Sequence, residues 1–458
     1  MLEALDLSDA AKVLTDPSDT EFQELLARWT DIDKKVPFAI VMPASEDDIV
    51  ETVKAAVSSS VPFVPKSGGH SAWSTIGSDG FVLDLSLLRK VDVDVEKGTA
   101  TASAGAQIRD VMDATWSKGF VAVTGTVNTV GFIPSTVGGG LTILAPLLGY
   151  GSDNVVAARL VTAKGELITV SESENTELLY AIKGAGQFFG VITSLTVKVH
   201  PISIIGNPEG LVWHSTWIFD PSKALEVAKA AISVKSAERS YCLAGILPSP
   251  MTFEPVVMVI GSYLGLKEDA MKAFQPFIDI GPDVVAADEE LPYGKINDAF
   301  AAFEAKGGYK KWYAPGLTDM AQFQPEDMVY YLEQKRKIDE QFPTAKGSGF
   351  VIEFTSDGAF DEVPAEKETA FAHRDVKAYA HMLSWASDEE SVNSAAVIVE
   401  EVMDHVRRNQ PKEKYSFYQN FSREIPIEQR YKGAERLEKL KDLKKIWDPQ
   451  GVFTKQLL

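Results

Sequence analysis

Residues 124–154, TGTVNTVGFIPSTVGGGLTILAPLLGYGSDN, constrain the fold of this chain more than any other stretch. Nine of them are glycine or proline. That density excludes a regular helix or a central strand, because glycine weakens both and proline supplies no N–H. Such a run can instead wrap closely around an extended polar ligand, offering N–H groups to phosphates and carbonyls to ring N–H groups. No Gly-Lys-Ser/Thr follows, so it is not a Walker A loop. No Gly-x-Gly-x-x-Gly stands at a strand-to-helix turn, which leaves a nicotinamide dinucleotide site unsupported.

A second glycine loop, Lys66-Ser67-Gly68-Gly69-His70-Ser71, follows the apolar run Val61-Pro62-Phe63-Val64-Pro65, which reads as a short strand. Two adjacent glycines let the backbone turn sharply and bring its N–H groups to an anion. The histidine directly after them sets an imidazole beside whatever those groups hold. A tight surface turn could carry the same triplet, so its weight comes from the rest of the chain.

With 458 residues, the chain is long enough for two domains. Apolar residues make up 45% and charged residues 24%, as in a soluble globular protein. A net charge of −20 argues against nucleic acid or an anionic membrane as partner. No run approaches the ~20 apolar residues of a membrane span. The start, MLEALDLSDAAKVL, lacks the basic-then-apolar pattern of a signal peptide. The one cysteine, Cys242, fits a reducing, cytoplasmic location. The six histidines are scattered and show no metal-binding spacing, so no metal is expected.

Periodicity and turn residues predict a capped helix over 45–60, with Ser45 and Asp48 at capping-box spacing and Ile49, Val53 and Ala56 on one face. They predict hairpins turning at Lys97-Gly98 and Lys164-Gly165, helices over 107–118 and 174–183, and a strand over 191–199. Farther on, strands are expected at 211–218, 256–263, 349–355 and 377–385. Amphipathic helices are expected at 222–235, 267–276, 390–408 and 433–443. Many short strands with a few helices make an α+β pattern.

Further landmarks follow in order: Ala122 to Thr126, the glycines of 131–140, Ser152-Asp153-Asn154, Leu178 to Gly186, Phe189 to Thr193, His373-Arg374-Asp375, Tyr418-Gln419-Asn420-Phe421 and Asp448-Pro449. With these landmarks the chain resembles the berberine-bridge-enzyme-like branch of the vanillyl-alcohol-oxidase flavoprotein superfamily. The resemblance implies a PCMH-type FAD-binding domain of two α/β subdomains at 1–204. It implies a substrate domain at 205–415 whose antiparallel sheet, flanked by helices, roofs the flavin ring. A C-terminal segment, 416–458, would return to the FAD-binding domain. FAD would be bonded covalently through its 8α-methyl group to His70. By the same resemblance, Lys66, Ser67, Gly68, Gly69, His70, Ser71, Gly125, Thr126, Val130, Gly131, Ile133, Gly138, Gly139, Asp153, Asn154, Gly190 and Val191 surround the cofactor, joined by Tyr418 and Asn420.

Two departures from the family pattern matter. Ile133 stands where many relatives carry a cysteine that bonds the flavin a second time, so a single link is expected, and Cys242, in the other domain, is a poor substitute. Single linkage leans toward a small substrate. Ala72 stands where many sugar-oxidising relatives have an aromatic residue, which disfavours a carbohydrate oxidase.

Alternation on the later strands sorts the candidate catalytic residues. Over Tyr415 to Phe421, Tyr418 and Asn420 share one face and Phe417, Gln419 and Phe421 the other. Glu353 points opposite to Phe350, Ile352 and Phe354, near where amine-oxidising relatives keep a glutamate. Their neighbouring lysine is Val351 here. Tyr379, His381 and Leu383 share a face. Phe421 replaces a tyrosine or histidine base of some relatives. The expected activity is an FAD-dependent oxidase of a small alcohol, amine or secondary metabolite, passing hydride to flavin N5 and electrons to O2 to give H2O2. Small residues at Ser135-Thr136-Val137, near where relatives control oxygen access, favour O2. Two alternatives stay open: a dehydrogenase with another acceptor, and a flavin-bound cyclase or metabolite-binding protein without net redox. The partners expected are a small molecule and O2, in a monomer or small homo-oligomer.

Overall fold

The structure, a computed structural model, describes residues 1–2, 5–234, 239–355, 368–421 and 425–453. Its first two sheets come from the N-terminal part of the chain. Strands Ala39–Met42, Phe81–Asp84 and Phe63–Lys66 pair in parallel, with Lys12–Leu14 antiparallel at the edge. Helix Glu46–Ser58 supplies the crossover, and its Ile49, Val53 and Ala56 are fully buried against this sheet. Each such burial contributes up to about 1.5–3 kcal/mol for a branched aliphatic side chain. Ser45 caps the helix by accepting the Asp48 N–H at 3.1 Å, but the Asp48 carboxylate serves Ala44 and Ser8 rather than closing a capping box.

The second sheet has six strands centred on Val191–Pro201. Both expected hairpins lie in it, Val91–Asp94 with Thr99–Ser103 and Val155–Val161 with Leu167–Ser171. Within the glycine-rich run, helices form as short turns, Phe132–Val137, Ala145–Leu148 and the 3-10 turn Gly151–Asn154.

The third sheet has nine strands among the described residues, all paired antiparallel. Phe350, Ile352, Phe354, Ala378, Ala380 and Met382 pack beneath helices Ala224–Val234, Pro325–Gln341 and Glu389–Val406. Residues of the opposite parity, such as Tyr241, Leu243 and Ile260, join the core of the N-terminal half. One face of the sheet is therefore closed by helices and the other looks toward the two glycine loops. Helix Ala434–Trp447 returns to that N-terminal core through Leu437, Leu440 and Leu443. Its buried Lys444 ammonium bonds the Phe188 carbonyl, Asp448 and the Phe453 carbonyl.

The sequence pattern does not reveal strands Ser240–Pro248, Val284–Pro292 and Tyr309–Tyr313 or helix Pro325–Gln341. Val284–Pro292 is an exposed edge strand with three acidic residues among its nine, and the helix carries many charged residues. The expected strand over 415–421 is also corrected. Only Ser416–Phe417 is extended, and Gln419–Phe421 forms a 3-10 turn. Among the described residues, no helix is long and apolar enough to cross a membrane.

Candidate active site

The loop 66–71 leaves its strand at Lys66, whose ammonium is buried and paired with buried Asp84 at 2.7 Å. Removing one partner of such a pair costs about 3–5 kcal/mol, so this contact anchors the loop root. A Cβ at Gly68 would lie 2.4 Å from the Thr129 carbonyl oxygen and 2.5 Å from the Gly131 nitrogen. The two glycine loops therefore touch backbone to backbone, which only a residue without a side chain permits. Gly69 has φ +75°, the left-handed turn that aims His70. His70 Nε2 lies 2.9 Å from Thr129 Oγ1. Burial, with Lys306 and Lys310 nearby, pushes the His70 imidazole down to about 3, so it is neutral and one ring nitrogen keeps a free lone pair. The ring lies 6.4 Å from Trp29.

Tyr418, Asn420 and Phe371 close the second loop. A Cβ at Gly138 would strike Asn420 Oδ1, and one at Gly139 would strike Phe371 and Tyr418. The Tyr418 hydroxyl oxygen accepts the Leu141 N–H at 2.9 Å and Asn420 Nδ2–H at 3.1 Å, while Asn420 also donates to the Ser135 carbonyl. Burial pushes Tyr418 up to about 12, so at neutral pH it is a phenol that can donate but not a proton acceptor. The Asp153 carboxylate accepts the Tyr150 N–H and pairs with Arg374. Asn154 donates to the Leu148 and Tyr150 carbonyls and bonds His200. The Gly125 carbonyl accepts from Asn297, and the Val130 carbonyl accepts the Ile108 N–H. Val191 opens the central strand of the six-stranded sheet, and Gly190 directly precedes it, where a Cβ would overlap Leu160. Ile133 is buried in the apolar core. Cys242 is also buried, in the core on the helix side of the third sheet, and burial pushes its thiol up. Ser71 Oγ accepts the Trp73 N–H at 3.0 Å, and Thr126 lies at the start of the second loop.

Glu353, Tyr379 and His381 stand on the sheet face turned toward these loops. His381 Nε2 and Glu353 Oε2 are 2.5 Å apart, both residues buried. The Trp312 indole N–H donates to His381 Nδ1 at 3.0 Å. Trp312 stacks on Phe421, ring centres 4.9 Å apart and 14° from parallel, and lies 5.8 Å from Trp29. An aromatic path thus joins His70 to Glu353. Phe421, expected on the opposite face from Tyr418, packs 5.5 Å from it, because the 3-10 turn replaces strand parity. Leu383, expected beside His381, is buried at Gly349 in the register. Trp312, Trp29, Thr129 and Tyr241, which hydrogen-bonds Glu353, carry no local sequence pattern; they reach the site through pairings distant in sequence.

The loops are lined by buried polar atoms with no hydrogen-bond partner among the described residues: Ser67 Oγ, Trp73 Nε1, Gln187 Oε1, and Arg430 Nε and Nη1. The Arg430 guanidinium lies 5.8 Å over the Trp73 ring. Phe188 touches both Trp73 and Tyr431, so these groups gather behind the His70 loop. Buried donors and acceptors of this kind are costly when unpaired. Together with the glycine cradle they fit a large ligand that carries anionic and carbonyl oxygens and ring N–H groups, as FAD does.

Residues 37–171 match a family model described as an FAD binding domain. The chain is 30% identical over 477 residues to the FAD-linked oxidoreductase hasG of Aspergillus fumigatus, covering 98% of this chain and 97% of that one. Among solved structures, Physcomitrella patens BBE-like 1 superposes with TM-score 0.81 at 21% identity, over 97% of this chain and 96% of that one. The 6-hydroxy-D-nicotine oxidase of Arthrobacter nicotinovorans gives 0.80 at 23%, over 98% of each chain. Glucooligosaccharide oxidase of Acremonium strictum, whose FAD is described as 6-S-cysteinyl, 8α-N1-histidyl, gives 0.79 at 19%, over 97% of this chain and 95% of that one.

Proposed function

We propose, from the premise that this chain belongs to the FAD-linked oxidoreductase family, that it is an oxidase of a small alcohol, amine or secondary metabolite, yielding H2O2. Bound FAD supplies the hydride acceptor, at N5, and the route by which electrons reach O2. One observation carries the reading: a buried carboxylate, Glu353, stands on a wall of aromatic rings that runs back to His70. Substrate would lie on that wall, held by Trp312, Phe421 and Tyr379, with the Tyr418 hydroxyl as donor.

His70 is the single covalent attachment point in this reading. Its Nε2 is engaged by Thr129, so Nδ1 would be the nitrogen that takes the bond. His70 would hold the cofactor by this bond, and FAD would supply the 8α-methyl carbon that it joins. Buried Ile133 offers no second link. Residues 1–204 with the tail from 416 would hold FAD, and 205–415 would hold substrate. Ser67, Trp73, Gln187 and Arg430 would serve the cofactor's polar atoms. A cytoplasmic monomer or small homo-oligomer completes the proposal.

The test is anaerobic mixing of the yellow protein with panels of alcohols, amines and aromatic metabolites, followed by air. The expected result is bleaching by at least one compound, then return of colour with peroxide release. Bleaching reversed only by a quinone or another acceptor would make the protein a dehydrogenase. Colour unchanged by every panel would point to a cyclase or binding protein.

A further inference from the structure

Three side chains from three different strands meet at the centre of the third sheet: Trp312 of Tyr309–Tyr313, His381 of Ala378–Ala386 and Glu353 of Gly349–Thr355. An indole N–H can only donate. His381 Nδ1, 3.0 Å from Trp312 Nε1, must therefore be the accepting nitrogen, and the ring proton sits on Nε2. Nε2–H then donates to Glu353 Oε2 at 2.5 Å. Both imidazole nitrogens are engaged, so in this arrangement His381 has no site at which to take a substrate proton. The other polar groups facing Glu353 are Tyr241, Tyr379 and Tyr418. Burial pushes all three phenols up, which leaves them protonated at neutral pH.

We propose that Trp312 and His381 form a fixed donor relay that positions the Glu353 carboxylate, the group the family resemblance offers as proton acceptor. Glu353 would take the O–H or N–H proton of a substrate on this face, for which bound FAD would supply the hydride acceptor, and a C=O or C=N bond would result. Trp312 and His381 are positioning residues; Glu353 alone touches the reacting proton. The relay also explains why Trp312 is stacked on Phe421: the stack holds the indole plane in line with Nδ1. This inference rests on the sheet face being the substrate pocket, as proposed above.

Two measurements on the holoprotein test it. The first is a long-range nitrogen–proton NMR spectrum of the imidazoles. The chain has 6 histidines, and His381 is the set lost in His381→Gln. The expected spectrum shows Nε2 protonated and Nδ1 bare, with the Nδ1 signal moving in Trp312→Phe. The second is the rate of anaerobic flavin reduction by whichever panel compound bleaches the protein. Glu353→Gln should slow reduction by about 10²–10⁴-fold. His381→Phe should slow it by about 10–100-fold, the weight of one hydrogen bond to a charged group. His381→Gln, which keeps an N–H near the Nε2 position, should recover most of that, with KM little changed. A proton on Nδ1, an unmoved spectrum in Trp312→Phe, or wild-type reduction rates in Glu353→Gln or His381→Phe would each overturn the relay. If no compound bleaches the protein while the Nε2–H form is confirmed, it is the oxidase reading that fails, and the acceptor role of Glu353 with it. If a compound bleaches the protein but Nδ1 carries the proton, the relay alone is wrong.

Discussion

The hydroxyl oxygen of Tyr418 accepts the backbone N–H of Leu141 at 2.9 Å, joining positions 277 residues apart. This bond ties the C-terminal segment to the glycine-rich loop, where a Cβ on Gly138 would strike Asn420 and one on Gly139 would strike Phe371 and Tyr418. Tyr418→Phe would leave the Leu141 N–H without its partner. We expect it to lower unfolding stability by about 1–3 kcal/mol, the cost of an unsatisfied buried donor. Because Tyr418 is a protonated phenol, flavin reduction should slow less than in Glu353→Gln. Denaturant melts and anaerobic rapid mixing measure both effects; a larger kinetic loss in Tyr418→Phe would make Tyr418 the proton acceptor.

His70 is neutral, partly buried and held at Nε2. Acid-precipitated wild-type protein should retain its yellow colour, and peptide mass analysis should find FAD on the His70 peptide alone. His70→Ala should release the flavin into the acid supernatant while the native protein still folds. Colourless wild-type pellets would refute covalent attachment.

Arg430 holds a buried guanidinium whose Nε and Nη1 lack partners among the described residues. Burying an unpaired charge opposes folding, so Arg430→Met should raise the melting temperature of protein prepared without FAD. It should also reduce the extra stability gained on adding FAD, since the donors that pay back the burial are gone. Arg430→Lys should not restore that gain, because an ammonium cannot reproduce the planar fork. Equal FAD stabilisation in wild type and Arg430→Met would place this residue outside the cofactor site.

Three histidines give the protein an acid-sensitive fold. Burial, the largest cause for each, pushes His70 and His373 down to about 3 and His214 down to about 4. In the unfolded chain each titrates near about 6.5. Below that value the unfolded chain binds protons that the folded chain does not, so stability is present above it and is lost as pH falls toward about 4. Melting temperature should therefore drop steadily from about pH 6.5 to 4. His214→Gln should flatten part of the decline, its Nδ1 contact to Ser262 being replaceable by an amide. A flat profile in wild type would show that these rings are protonated in the fold.

The short-range features of this chain are legible in its sequence because short-range chemistry sets them. Ser45 caps its helix, Lys97-Gly98 and Lys164-Gly165 turn their hairpins, and Gly69 takes the left-handed φ that a Gly-Gly-His turn requires. Parity also places Glu353, Tyr379 and His381 on one side of their strands, since those strands run unbroken. Parity fails at Tyr418 to Phe421, where a 3-10 turn ends the strand and brings Phe421 beside Tyr418. The tertiary structure alone decides which groups meet. Gly68 faces the Thr129–Gly131 backbone, Trp312 faces His381 across a strand pair, and Tyr418 faces Leu141, because each contact joins segments whose separation along the chain carries no local trace. Glycine spacing and strand alternation are properties of neighbouring residues and are written in the sequence. The tautomer of His381 and the placement of Glu353 depend on how three distant strands pair, and only the folded sheet fixes that.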